Sequence, residues 1–196
     1  MVDAVKLPSA ERVDLAARLG QRLAGSPLIG GDRDGLEVGE IFHVDVLKSS
    51  GLAGRGPARR MGTRARQAPY LHVQVRRDRS AIFAAHVTKG DDDDWEIDNL
   101  FGAALAPKIA AAMQWIDRHL AGPGEARLLL VPESSVVAFQ VRQPKRDRIV
   151  LVSATGDFPS LVPDEAYPVH AFLTTLFGDY GARAVRSSFE RSKSSE

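Results

Sequence analysis

Three of the five histidines are the residues best suited to chemistry, because their spacing brings them within reach of one another. In YLHVQVRRDRSAIFAAHVTK (residues 70–89), Leu71, Val73 and Val75 alternate with polar residues, and Phe83, Ala85 and Val87 can face them on a returning strand. That match pairs Val75 with Phe83 and Val73 with Ala85, and it predicts a hairpin with a three-residue loop at Asp78 to Ser80. The same register sets His72 directly opposite His86, with Tyr70 and Thr88 beside them on one face. His43 and Asp45 lie on the polar face of the preceding strand. If that strand pairs beside residues 70–77, three imidazoles and a carboxylate converge, a set suited to zinc or another divalent metal. The blander reading, histidines on a solvated sheet face with no cofactor, is favoured over it.

The second feature is electrostatic. Residues 48–80 carry nine basic side chains against the single acidic Asp78, although the whole chain has a net charge of only +1. Lys48, Arg55, Arg59, Arg60, Arg64 and Arg66 sit among glycines and alanines over residues 48–69, a stretch with no hydrophobic period that is expected to be a long mobile loop. Guanidinium groups displayed this way would attract an acidic protein surface or phosphates. The loop has no aromatic residue for base stacking, so nucleic acid is a possible partner but not the favoured one. Asp91 to Asp94, with Glu96 and Asp98, form the opposing acidic run; it is expected to be solvated and to precede a helix, where negative charge suits the macrodipole. Trp95, in the middle of that run, is a candidate partner contact, or alternatively a lid over the helix start.

Other chemistry is not indicated. The chain contains no cysteine and no G-x-S-x-G, G-x-x-x-x-G-K-[ST] or H-E-x-x-H pattern. Gly54-Arg55-Gly56 has Arg59 where a dinucleotide fingerprint needs its third glycine, and Asp32-Arg33-Asp34-Gly35 lacks the spacing of a calcium loop. The apolar stretch 101–116 is broken by Pro107 and Lys108 and falls short of the roughly 20 residues that span a bilayer. With no signal-like N-terminus, the expectation is a soluble cytoplasmic protein without membrane contact.

The elements that must position these residues follow from periodicity. Leu15, Leu19 and Leu23 mark a first helix opened at Pro8-Ser9, and LEVGEIFHVDV (36–46) alternates as a strand. Leu105, Ile109, Ala112, Met113, Ile116 and Leu120 form the stripe of a second helix with Pro107 in its first turn. RLLLV, VVAFQVR and RIVLVSA are strands, and Val169, Phe172, Leu173, Leu176 and Phe177 mark a last helix. The predicted fold is therefore α+β in the order α-βββ-α-ββ(β)-α, with a largely antiparallel sheet of about five or six strands and helices mainly on one face. Residues 1–186 are expected to form a single domain and 187–196 a disordered tail, and no internal repeat is visible.

This order of elements, over residues 7–177, resembles small α+β interaction folds, including secretion-chaperone and roadblock-like folds, which dock a partner on a sheet or helix face. Together with the missing catalytic motifs, it leads us to expect a non-enzymatic adaptor or chaperone-like module. Such a module would bind a protein partner and could form a homodimer, with contacts through Arg55, Arg59, Arg60, Arg64, Arg66 and Trp95. The alternatives are a metal-dependent enzyme on His43, Asp45, His72 and His86, or a nucleic-acid binder working through the loop.

Overall fold

The structure is a computed structural model that describes residues 2–24, 35–48, 65–92, 94–101, 104–120, 122–144, 146–155, 158 and 160–176. Nine strands and three helices make up these residues: β1 (Val2–Asp3), α1 (Ser9–Arg22), β2 (Glu37–Leu47), β3 (Ala65–Arg77), β4 (Ser80–Lys89), β5 (Trp95–Phe101), α2 (Ala106–His119), β6 (Gly124–Val131), β7 (Val136–Arg142), β8 (Arg148–Ala154), β9 (Ala166–Pro168) and α3 (169–176). The α+β class is as expected. The sheet is wider than predicted because β1, β5 and β9 were not anticipated. The expected tail at 187–196 lies outside the described residues.

The strand order is β5-β4-β3-β2-β6-β7-β8-β9, and β1 also pairs with β6. Each neighbouring pair is antiparallel except β2 with β6 and β1 with β6, which are parallel. Two four-stranded meanders, β2 to β5 and β6 to β9, thus meet at their first strands. Each is preceded by a 14-residue helix. The order α-ββββ thus occurs twice along the chain, a repeat of topology that the sequence does not show.

Helices cover both faces, which corrects the expected one-sided packing. On one face α2 buries Ile109, Ala112, Met113 and Ile116 against Phe42, Val44, Leu128, Phe139 and Val150. On the other, α1 packs Leu15, Leu19 and Leu23 on Val38, Ile41, Val73, Val75 and Phe83 in the first meander. Beside it α3 packs Phe172, Leu173 and Leu176 on Leu129, Ala138, Ile149 and Leu151 in the second. Each fully buried leucine contributes about 2 kcal/mol of transfer free energy, so three on one stripe suffice to seat a helix that has no side-chain N-cap. A sheet covered on both faces needs apolar residues on both sides of its central strands, and RLLLV and RIVLVSA supply them.

Candidate functional site

The β3–β4 hairpin has the anticipated register: Val75 pairs with Phe83, Val73 with Ala85 and His72 with His86. Its turn differs. Arg77 pairs with Ser80 across a two-residue loop, Asp78 and Arg79 both have positive φ, and the register slips by one at Ile82. A two-residue loop of this kind matches the strand twist, and the bulge absorbs the extra residue that a three-residue loop would have held.

The histidine pair does not face solvent. Phe42 pairs with His72, which puts both histidines on the face that α2 covers. His72 is 1% exposed and His86 5%. Around them four strands contribute a box of rings. Tyr70 stacks on His86 at 4.2 Å, Phe101 meets His86 edge-on at 4.3 Å, and the two imidazoles are T-shaped at 5.4 Å. Phe42 and Phe101 flank His72 at 6.4 and 5.9 Å. Neither ring nitrogen of His72, nor Nε2 of His86, has a hydrogen-bond partner. Burial, with a smaller contribution from His86, lowers the His72 pKa to about 3, and burial lowers that of His86 to about 4. Both are neutral at pH 7. Burial, and then the field of Asp98, raises the Tyr70 pKa.

His43 and Asp45 are elsewhere. His43 pairs with Leu71, one position out of phase with Phe42 and His72, so it and Asp45 occupy the opposite face. The strand pairing that would have gathered the four residues does form, but its register divides them two and two across the sheet. Among the described residues no group of three or more histidine, aspartate or glutamate side chains is placed to hold a metal.

Asp45 instead anchors an ion network in the seam between the core under α1 and the core under α3. It is 2% exposed and accepts two hydrogen bonds from Arg127, Nε to Oδ2 and Nη2 to Oδ1, both at 2.9 Å. Arg142 donates to Oδ2 at 3.2 Å, and Glu125 accepts from Arg127 Nη1 at 3.1 Å. Burial works against the Arg127 charge, but the bonds to Asp45 and its field more than offset this, so its pKa is raised. His43 faces the same side, with Gln67 Nε2 3.5 Å from its Nδ1. The network is balanced in charge and closed on itself. Arg127 and Arg142 had no local signal in the sequence, since both sit in strands that alternate or run apolar.

Of the anticipated partner contacts, Arg55, Arg59, Arg60 and Arg64 lie outside the described residues. Arg66 is exposed on β3, opposite Val46. Trp95 is 7% exposed, packs into the α1 core from the edge strand β5, and has Lys89 Nζ 5.3 Å above its ring. The acidic run is also partly engaged, with Asp94 accepting from Arg18 of α1 at 2.8 Å.

No protein-family model, no curated protein and no solved structure matches the chain. No helix among the described residues is long and apolar enough to cross a membrane.

Proposed function

We propose that this protein is a non-enzymatic binding module, an adaptor or chaperone-like protein, that offers the basic segment 48–66 to an acidic surface of a protein partner. One observation carries the reading. Leu47, at the end of β2, pairs with Ala65, at the start of β3, so residues 48–64 connect two neighbouring strand ends. A run rich in arginine and glycine is thereby tied at both ends to a wide sheet packed on both faces. Binding segments are commonly displayed this way, as loops on a rigid scaffold. Arginine suits the task because its planar fork pairs two-pronged with carboxylates.

The test is affinity capture from nuclease-treated lysate, comparing wild type with an Arg59→Gln/Arg60→Gln/Arg64→Gln/Arg66→Gln variant. A stoichiometric acidic protein retained by wild type and lost by the variant, with an unchanged melting temperature, supports the reading. Equal retention by both baits removes the loop's role. Binding that appears only without nuclease, and that falls steeply with salt, replaces the protein partner with a polyanion.

A further inference from the structure

The neutral imidazoles beneath α2 are poor core material. Phenylalanine fills similar space with no polar atom to leave unsatisfied, whereas each orphaned buried nitrogen costs about 1–3 kcal/mol. His72 leaves two such nitrogens and His86 one, in a box whose other members are Phe42, Tyr70 and Phe101. What an imidazole has and a phenyl ring lacks is the capacity to take a proton.

The surroundings make that proton hard to hold in place. From α2 the inward residues are Ile109, Ala112, Met113 and Ile116, all apolar. From β2 the acid on this face is Glu40, already bound by Arg76 of β3 and, with the Gln74 amide turned so that both its atoms are satisfied, by Gln74 Nε2 at 2.7 Å. From β4, Thr88 donates to Asp98 of β5 at 3.2 Å, and Asp98 also acts on Tyr70. None of these groups bonds to the orphaned imidazole nitrogens, and two protonated rings 5.4 Å apart would repel each other.

We propose that the His72–His86 pair is a proton-operated latch for α2: when both rings take protons, the helix lifts from the β3–β5 part of the sheet and bares the aromatic face beneath it. The core under α1, on the opposite face, is not part of the device. Closed, the pair binds protons only at about pH 3 and 4; once exposed, both rings return to the ordinary 6.5. Two protons are therefore taken up on opening, and the opening equilibrium rises up to about a hundredfold for each pH unit below 6.5 until roughly pH 4.

Native-state hydrogen exchange on the full chain tests this, read as protection factors at pH 7.5 and 5.0. Amides of α2 report the latch and those of α1 serve as the internal reference. The expected result is a loss of at least about a hundredfold in α2 protection at pH 5.0, an α2 protection below that of α1 at both pH values, and a pH-independent α2 in a His72→Phe/His86→Phe variant. Equal protection of both helices at pH 5.0, as in a single global opening, would overturn the latch. So would an undiminished α2 response in the double variant. If that variant does not fold, His72→Phe and His86→Phe separately should each reduce the response to about tenfold per pH unit; a full response in either overturns the proposal.

Discussion

Asp45 shows how a single buried charge is held by partners far away in sequence. Its carboxylate meets Arg127 from 82 residues along and Arg142 from 97. Breaking such a pair strands the surviving charge, so Asp45→Asn is expected to cost about 3–5 kcal/mol, measured as a drop in the urea midpoint at constant slope. The paired replacement Asp45→Leu/Arg127→Met should recover most of that loss, because the cost lies in the uncompensated guanidinium rather than in the missing bond. If the double variant is as unstable as Asp45→Asn, the network contributes more than charge balance. These residues also mark what local reasoning can reach. Alternation along β2 correctly put His43 and Asp45 on a common face, and hairpin register correctly set His72 against His86. Which face each pair shared, and what covered it, depended on the β2–β3 register and on α2 packing. Gly39 and Glu40 fall in the first of two breaks in that register, between Val38 and Ile41, and nothing in the alternation of residues announces either break.

The elements divide in the same way. The helices were legible because their apolar stripes are long, and α2 starts with Pro107 in its first turn as expected. Strand β5 was not legible, since WEIDNLF follows four aspartates and reads as an acidic lead-in to a helix. It is an edge strand with Trp95 and Ile97 turned to the α1 core and Glu96 and Asp98 turned away, and such charges keep an open edge from pairing with other chains. The β3–β4 turn carries its own prediction. Arg79 sits at φ 67°, in the left-handed region, where a residue carrying a Cβ is strained and glycine is not. Asp78→Asn/Arg79→Gly should stabilise the fold by about 0.5–1 kcal/mol, seen as a higher melting temperature. In the opposite direction, Gly124 admits no side chain: an added Cβ would lie 2.6 Å from the Arg142 carbonyl oxygen on β7. Gly124→Ala should cost about 1–3 kcal/mol and loosen the β1–β6 pairing at that same residue; a stability equal to wild type would show that β6 and β7 can part there freely.

At the scale of the molecule, the repeated α-ββββ unit places α2 between two roles. It precedes the second meander as α1 precedes the first, and it also covers β4 of the first meander, packing on both β4 and β8. One helix thus closes a whole face that on the other side takes two, and the buried histidines lie beneath it. This placement has a consequence for the pH dependence of the entire fold. Both imidazoles have folded-state pKa values below 6.5, at about 3 and 4, so between those values and 6.5 the unfolded chain binds protons that the folded chain does not. Stability is therefore full above about pH 6.5 and falls as the pH drops, with a slope approaching about 2.7 kcal/mol per pH unit for two protons. Carboxylates titrate mainly below this range, near pH 4, so the interval from 6.5 to 5 isolates the histidines. Urea unfolding across that interval should show the slope in wild type and a nearly flat profile in His72→Phe/His86→Phe. A wild-type stability that stays level down to pH 5 would mean that the buried rings find proton acceptors in the folded protein, and the aromatic box would then be a solvated polar pocket rather than a dry one.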